Sequence, residues 1–146
     1  MVIPDADRDF LRLARVARLA TASLAGEPHV VPVCFVLDGS TVYSAIDSKP
    51  KRVAPRMLRR LQNIAHNPRA VLLVDHYEED WSRLRYMMVS GRTAILESGP
   101  ECARALDLLR DKYEQYRTMP DFGRSLVIRL EIEHSASWHG APRKTE

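Results

Sequence analysis

The pattern of hydrophobic and polar positions along the chain predicts short strands interleaved with three helices. Two-residue alternation, or a β-rich composition between turn residues, predicts strands at residues 18–24, 28–37, 41–46, 69–76, 84–96 and 124–134. Apolar stripes at three- to four-residue spacing predict helices at residues 5–17, at about 53–66, and in a segment that starts at 98–101 and whose stripe reaches Tyr116.

Short connections between the first strands indicate antiparallel pairing. Residues 25–27 and 38–40 are turn-like and too short for the crossover that parallel neighbours need. Pro32 predicts an edge position or a bulge in its strand, and Gly91 predicts a bulge or a close backbone approach. We therefore expect a mainly β (α+β) fold: a six-stranded antiparallel split β-barrel with peripheral helices. A β-sandwich is the alternative.

Local signals predict where the helices begin. Pro55 is tolerated only in a first helical turn, which places the start of the second helix near 53–55. Ser98 is expected to cap the third helix, with Pro100 near its first position. Asp5 or Asp7 is expected to cap the first helix.

Length and composition limit the classes of protein that remain. The 146 residues are 45% hydrophobic and 28% charged, which suits one domain, residues 1–146, with its own core. The apolar runs are too short to cross a membrane, and the acidic N-terminal segment lacks the apolar stretch of a signal peptide. Cys34 and Cys102 are expected to be buried, reduced thiols, which is typical of a cytoplasmic protein.

A cluster of cations at the exit of a predicted strand is the strongest candidate for a binding site. The stretch YSAIDSKPKR lies directly before the predicted second helix. It ends in Ser48, Lys49, Pro50, Lys51 and Arg52. Free N–H groups at a helix N-terminus, together with Lys and Arg side chains, bind phosphate readily, and the proline stiffens the turn. The alternative interpretation is a solvated charged loop.

Other kinds of site have weaker support in the sequence. The net charge of +3 is small and no nucleic-acid-binding motif is present, so nucleic acid is not expected as a partner. His76 and the acidic residues 78–80 lack the spacing of metal ligands, and a solvated loop is expected there. Trp81 in that loop either covers the core or belongs to an interface. Because no nucleophile or general-base motif is visible, an enzyme with this sequence would depend on a cofactor.

Three blocks of the sequence together resemble the pyridoxamine 5′-phosphate oxidase-like split-β-barrel superfamily. The narrower resemblance is to its short actinobacterial members that use the deazaflavin coenzyme F420. The blocks span most of residues 18–96 and read LATASLAGEPHVVPVCFVLDG, YSAIDSKPKR with LRRLQNIAHNPRAVLLVDHY, and WSRLRYMMVSGRTAIL. They look like the family's opening hairpin, its cofactor strand with the phosphate turn, and its long strand with an internal glycine.

The resemblance implies a homodimer with two cofactor sites at the interface. It implies that the phosphate lies at the basic turn, residues 48–52, and that the partner subunit contributes Trp81 and Arg85. The strand beneath the flavin-like ring would consist of Tyr43, Ser44, Ala45 and Ile46. We expect Tyr77, Trp81 and Tyr86 to be aromatic residues of the interface.

The function expected from this resemblance is hydride transfer between coenzyme F420 and a small organic substrate. The anionic tail of F420 needs positive charge beyond the phosphate, and Arg56, Arg59 and Arg60 are expected to supply it along the predicted helix. The alternative is that these arginines solubilise the helix face or pair with the acidic residues 78–80. FMN, which lacks that tail, is the alternative cofactor, in a reductase or oxidase of the same family. A non-catalytic carrier of flavin or haem is the alternative from a different class. The sequence assigns no catalytic side chain and no metal ligand.

Overall fold

The computed structural model describes residues 3–47 and 58–141 of the chain. Seven strands lie within these ranges: β1 (Ala17–Ala22), β2 (Pro28–Val33), β3 (Val36–Asp38), β4 (Thr41–Ile46), β5 (Arg69–His76), β6 (Arg85–Leu96) and β7 (Leu126–His139). The α-helices of the same ranges are α1 (Asp5–Leu13), α2 (Arg59–His66) and α3 (Pro100–Lys112). Short 3-10 turns occur at Trp81–Arg83, Glu114–Arg117 and Phe122–Arg124. None of these described helices has the length and apolar character that a membrane span requires.

All seven strands belong to one antiparallel sheet, in the order β2-β1-β5-β6-β7-β4-β3. β2 and β3 stand at the two ends of this order and do not pair with each other, although they are neighbours in the chain. The sheet therefore surrounds a core and stays open between these two strands, as in a split barrel. The predicted mainly β, split-barrel fold with peripheral helices is confirmed.

The seventh strand arises because the predicted strand 28–37 is broken after Val33. Cys34 and Phe35 leave the sheet, and β3 begins at Val36 on the other side of the opening. Phe35 is fully buried, and the Tyr113 hydroxyl bonds to both its N–H and its carbonyl oxygen, each at 3.1 Å. These two hydrogen bonds to the Tyr113 hydroxyl hold the chain in place where it crosses from β2 to β3.

Proline and glycine occupy the special positions in the sheet that the sequence predicts. β2 pairs with β1 alone, so Pro32 lies in an edge strand. The register between β6 and β7 shifts between Ser90 and Gly91, which forms a bulge. A Cβ atom at Gly91 would lie 1.8 Å from the carbonyl oxygen of Glu131, far inside van der Waals contact. Both predicted features of Gly91, the bulge and the close backbone approach, are confirmed.

One apolar cluster fills the inside of the barrel. Its best-buried members on the sheet are Leu19, Leu72, Val74, Met87, Val89 and Leu130. α1 adds Leu11, and α2 adds Leu61 and Ile64. Full burial of one such side chain stabilises the fold by about 1.5–3 kcal/mol. Both helices are therefore attached to the barrel through its own core.

A second apolar cluster attaches α3 to the outside of β4 and β7. The helix contributes Cys102, Ala105, Leu106 and Leu109, and the sheet contributes Tyr43, Ala45 and Val127. β4 is covered on both faces, because Val42 and Ile46 belong to the barrel core. This double cover explains why β4 has an almost continuous run of buried residues.

Two predicted helix boundaries are wrong. α1 ends at Leu13 rather than at 17, because Ala14 is extended and β1 already begins at Ala17. α2 begins at Arg59 because Leu58 is extended, with φ −62° and ψ 138°. Residues 53–57, which include the predicted start at Pro55, lie outside the described ranges.

The predicted helix caps and the predicted last strand also need correction. Pro4, not Asp5 or Asp7, occupies the cap position of α1. Gly99 at φ 98° precedes α3 in place of the predicted Ser98 cap, whereas Pro100 lies in the first turn as predicted. β7 extends to His139 rather than to 134, because its pairing with β6 continues to that residue.

The amine of Lys112, at the end of α3, is enclosed by aromatic rings. Its Nζ atom lies 4.0 Å from the centroid of the Phe35 ring and 5.4 Å from that of Tyr113. The same atom is buried, and among the described residues it has no hydrogen-bond acceptor. Burial, with a smaller contribution from the charge of Arg15, lowers the pKa of Lys112 to about 8. The folded protein therefore holds this proton less tightly than the unfolded chain does.

We expect Gly91→Ala to lower the free energy of unfolding by about 3 kcal/mol, since the new methyl group collides with backbone that must shift. Urea-induced unfolding of the purified variant measures the change. Ser90→Ala, at the neighbouring position of the same strand, is the matched control and should change stability by about 0.5 kcal/mol or less. Equal stability of Gly91→Ala and the native protein would contradict the bulge geometry.

We expect the free energy of unfolding of the native protein to rise between pH 8 and 10. In this window the unfolded chain binds the Lys112 proton, with an ordinary pKa of 10.5, while the folded protein has released it. Above pH 10 the raised pKa of Tyr43, about 12, acts in the opposite direction. Urea unfolding at several pH values checks this, and Lys112→Met should remove the rise.

Arg124→Met, which removes an exposed cation, is the control for the loss of one positive charge. It should keep the rise in stability between pH 8 and 10. The same pH dependence in Lys112→Met as in the native protein would show that another group causes it.

Candidate functional site

The side chains of the four predicted cofactor-strand residues on β4 are buried within one subunit. They are Tyr43, Ser44, Ala45 and Ile46, with exposed fractions of 4–6%. The Tyr43 hydroxyl donates to the Glu101 carboxylate of α3 at 2.8 Å, and Arg129 of β7 donates to the same carboxylate at 2.9 Å. Burial, and next the bond to Glu101, raise the pKa of Tyr43 to about 12. A planar ligand can therefore meet this strand through its backbone rather than through these side chains.

The backbone of residues 44–46 borders the opening of the barrel. β3 pairs with β4 only at Thr41–Tyr43, whereas β7 pairs with β4 as far as Ile46. The Ser44 hydroxyl donates to the carbonyl oxygen of Cys34 at 2.8 Å. This bond fixes the break between β2 and β3 beside the end of β4, so the predicted ring strand lies next to the split.

Six predicted cofactor residues lie outside the described ranges. They are Ser48, Lys49, Pro50, Lys51, Arg52 and Arg56. On one side of this segment Asp47 ends the described part, and on the other side α2 begins. Asp47 is 8% exposed, and the Tyr116 hydroxyl donates to its Oδ2 atom at 2.8 Å. Burial lowers the pKa of Arg60, and the negative charge of Asp47 opposes that shift. The charges of Asp47 and Arg60, which flank the basic segment in the sequence, therefore act on each other.

The two arginines at the start of α2 lie in different surroundings. Arg60 is half-buried near the charge of Asp47, whereas Arg59 is exposed and lines a groove of about 390 Å³. The rest of that groove is formed by Ser23, Leu24, Gln62, Asn63 and His66. Consecutive helical residues differ by about 100° around the helix axis. The described part of the predicted basic surface is therefore divided between two sides of α2.

Arg85 and Trp81 lie far along the sheet from Ile46, the last residue of β4. β7 pairs with Ile46 at Leu126 and with Arg85 at His139. At ~3.3 Å per residue, these two ends of β7 are separated by about 43 Å along the strand. Within one subunit, the fold therefore keeps Trp81 and Arg85 away from the end of β4.

The surroundings of Arg85 and Trp81 differ. Arg85 is tied to α1, because it donates to the Asp7 carboxylate at 3.1 Å and lies over the Phe10 ring at 4.4 Å. Trp81 is 66% exposed and shares a groove of about 900 Å³ with Trp138. Because Trp81 is so exposed, it does not cover the core.

A second groove joins the predicted interface aromatics. It has a volume of about 400 Å³ and contains Tyr77, Tyr86 and Trp138. Tyr86 and Trp138 are opposite each other on β6 and β7, with ring centroids 6.3 Å apart. The two grooves share Trp138, so one aromatic surface continues from the loop before β6 onto the sheet.

Apolar side chains continue across the outer face of the sheet. Val30 on β2 and Met88 on β6 are exposed there by 62% and 41%, and Leu73 of β5 is opposite Met88. This outer face was not predicted, although the sequence carries a pattern that indicates it. Around Met87 and Met88, the residues of β6 that face the core and those that face outward are both apolar.

The acidic loop before β6 is held by its own ion pairs. Glu78 pairs with both His76 and Arg83, and the Asp80 carboxylate accepts from the N–H and the hydroxyl of Ser82. These bonds, the hydroxyl first, lower the pKa of Asp80. Within residues 3–47 and 58–141, no three His, Cys, Asp or Glu side chains come together as a metal site would require.

Comparison with known proteins adds a family and several relatives. A family model described as pyridoxamine 5′-phosphate oxidase matches residues 3–139. The 5a,11a-dehydrotetracycline/5a,11a-dehydrooxytetracycline reductase of Streptomyces rimosus is 31% identical over 100 residues, which cover 64% of this chain and 68% of that protein.

Solved structures share the fold. A heme-binding protein from Mycobacterium smegmatis aligns with a TM-score of 0.75 and 22% identity, over 98% of this chain and 57% of that one. A protein described as an F420 reductase aligns with a TM-score of 0.69 and 20% identity, over 92% of this chain and 98% of that one.

Proposed function

This chain belongs to the pyridoxamine 5′-phosphate oxidase family, and from that premise we propose that it is an oxidoreductase that transfers a hydride between coenzyme F420 and a small organic substrate. The observation that carries this proposal is its 31% identity to the dehydrotetracycline/dehydrooxytetracycline reductase over 68% of that protein. The F420 reductase of the same fold makes F420 the first cofactor to test. FMN is the alternative. The heme-binding protein of the same fold supports a non-catalytic carrier as the rival class.

The described residues fit a flavin-like cofactor at the opening of the barrel. The backbone of residues 44–46 offers a strand edge that β3 does not cover, and the half-buried Arg60 adds a cation near Asp47. Lys49, Lys51 and Arg52 are proposed to bind the phosphate, with Ser48 as a further donor on the turn that Pro50 stiffens. Arg56 and Arg60 extend the positive charge toward the anionic tail.

The protein's part in the reaction is to hold the ring, to orient the substrate and to exclude water. When bound, the deazaflavin would provide the hydride chemistry. Backbone groups of Tyr43–Ile46 would face the ring, since their side chains are committed to packing. The apolar outer face of the sheet keeps water away from the reacting atoms once it is covered. No described side chain needs to act as a nucleophile in this scheme.

The site needs a second copy of the chain, and we propose a homodimer. The aromatic grooves around Trp81 and Trp138 lie about 43 Å along β7 from the end of β4. A two-fold partner that covers the outer face can bring its own Trp81 and Arg85 to the basic segment of the first subunit. Tyr77, Trp81 and Tyr86 would then belong to the interface. The free thiols Cys34 and Cys102 support a reducing, cytoplasmic location.

We expect the apo-protein to bind F420 more tightly than FMN in a fluorescence titration at moderate salt. The double variant Lys49→Ala/Arg52→Ala should weaken binding about ten- to a hundredfold, because a charge-assisted hydrogen bond contributes about 1.5–3 kcal/mol. Turnover of reduced F420 by added acceptors then tests the enzyme against the carrier.

Arg124→Ala, which removes an exposed cation from the 3-10 turn before β7, is the control for the loss of positive charge. It should leave the affinity unchanged. Tight binding of FMN or haem without binding of F420 would overturn the cofactor assignment. Unchanged affinity in the double variant would place the anion site elsewhere.

We expect Met88→Glu to convert the native dimer into a monomer in sedimentation at micromolar concentration. A charge buried in an apolar interface without a partner is strongly unfavourable, while the same charge on a free surface is tolerated. Leu24→Glu replaces another exposed apolar residue, on the turn after β1, and should leave the dimer intact. A native protein that sediments as a folded monomer would contradict the proposed assembly.

A further inference from the structure

Two tryptophans and two carboxylates line the largest groove described above, which has a volume of about 900 Å³. We call it the indole groove and define it by Glu79, Asp80, Trp81 and Trp138. The two indoles are 66% and 49% exposed. Its walls come from the loop before β6 and from the end of β7, so one subunit forms the groove by itself.

The end of β7 ties the backbone of Trp81 to that of Trp138. Gly140 donates its N–H to the carbonyl oxygen of Leu84 at 2.8 Å. A Cβ atom at Gly140 would overlap the carbonyl oxygen of Trp81, so glycine permits this approach. The Trp138 ring also stacks on Tyr86, with centroids 6.3 Å apart and an interplanar angle of 25°. A ligand in the groove therefore meets indoles that the fold has already positioned.

The charge at the indole groove is negative. Glu79 is exposed, and among the described residues no Lys or Arg pairs with it. The Asp80 carboxylate accepts two hydrogen bonds from Ser82, which favour its ionised form. Arg83 is the cation of this loop; its charge acts on Asp80, but its ion pair is with Glu78. One arginine therefore faces three carboxylates, and the groove attracts positive charge.

The cations of the chain leave both indoles free. Lys and Arg side chains lie over four other rings, those of Phe10, Phe35, Tyr113 and Phe122. Within residues 3–47 and 58–141, none lies over an indole of the groove. Indole is the aromatic side chain that attracts cations most strongly. An external cation would therefore find both a free ring face and a carboxylate without an ion pair.

We propose that the indole groove is a binding site for an organic cation, a substituted ammonium group carried on a planar apolar body. The ammonium group lies against the indoles beside Glu79, where cation–π and Coulomb attraction act together. The planar body continues along Trp138 into the smaller groove of about 400 Å³, whose walls include Leu73, Leu84 and Tyr86. This site goes beyond the proposed function and does not depend on it, because it needs neither the cofactor nor the basic segment.

The intrinsic fluorescence of the protein reports on this groove directly. The chain contains two tryptophans, and both line the groove. The native apo-protein is titrated with phenyltrimethylammonium, with its neutral isostere tert-butylbenzene, and with the anion benzenesulfonate. The first two probes have nearly the same shape and differ in charge, so their affinity ratio isolates the preference for a cation. Calorimetry provides a second measurement of each affinity.

The native protein should bind the cation about tenfold more tightly than the neutral isostere, and the anion least tightly. Added salt should weaken binding of the cation and leave that of the neutral probe unchanged. Equal affinity for the cation and its isostere, or tighter binding of the anion, would overturn the proposal. A native protein that binds no cation would overturn it as well, without bearing on the binding of F420.

Trp81→Leu and Glu79→Gln separate the ring from the charge. Trp81→Leu keeps an apolar side chain, so the affinity ratio of cation to isostere should fall from about ten toward one, with Trp138 as the remaining fluorophore. Glu79→Gln should weaken binding of the cation about threefold and leave the neutral probe unchanged. Glu27→Gln removes an exposed carboxylate on the turn between β1 and β2, and as the matched control it should change no affinity.

Thermal unfolding of each variant confirms that it is folded before its affinities are compared. A tenfold preference for the cation that persists in the double variant Trp81→Leu/Glu79→Gln would overturn the assignment of the groove. Equal weakening by Glu27→Gln and Glu79→Gln would show that the net charge of the protein, rather than this groove, attracts the cation, and would overturn it too.

Discussion

The rest of the fold depends on the pairing between β6 and β7. In the order of the sheet, this ladder joins the strands β2, β1 and β5 to the strands β4 and β3. It is also the longest pairing in the sheet, running from Arg85 opposite His139 to Leu96 opposite Val127. Gly91 lets the two backbones approach where the register shifts, because no Cβ atom could fit against Glu131. Side chains from both sides of this ladder then meet in one barrel core.

The length of the same ladder determines how a site can be assembled. It carries one end of β7 to the opening of the barrel, beside Ile46, and the other end to the aromatic grooves at Trp138. A single subunit thus separates the opening of the barrel from the aromatic grooves. In the proposed dimer these two ends meet across the two-fold axis, and each subunit provides half of each site. The apolar outer face, with Val30 and Met88 exposed, is the surface that makes such a contact favourable.

Local patterns in the sequence were sufficient for most of the fold. Alternation located the strands, and the chemistry of Pro32 and Gly91 predicted an edge and a bulge, because each residue excludes ordinary pairing by itself. The break at Cys34 and Phe35 was not predictable, since it depends on bonds to Tyr113, 78 residues away. The start of α2 was also missed. Pro55 permits a helix to begin but does not require it, and the extended backbone of Leu58 delays it.

The candidate site was less predictable than the fold, for the same physical reason. The basic segment was visible in the sequence, because cations beside a strand end form a local pattern. The contact between Tyr116 and Asp47 joins residues 69 positions apart and leaves no periodic signal. Arg60 appeared to belong with Arg59 on one basic surface, but helical geometry turns the two side chains to different surroundings.

The free edge of β2 has a further consequence for the behaviour of the protein in a crowded solution. An unpaired strand edge can recruit strands from other chains and so begin aggregation. β2 carries Pro28 and Pro32, and each removes one N–H donor from the strand. An incoming strand would therefore find an interrupted row of donors. The barrel can keep its split open for a ligand without offering a continuous template for fibre growth.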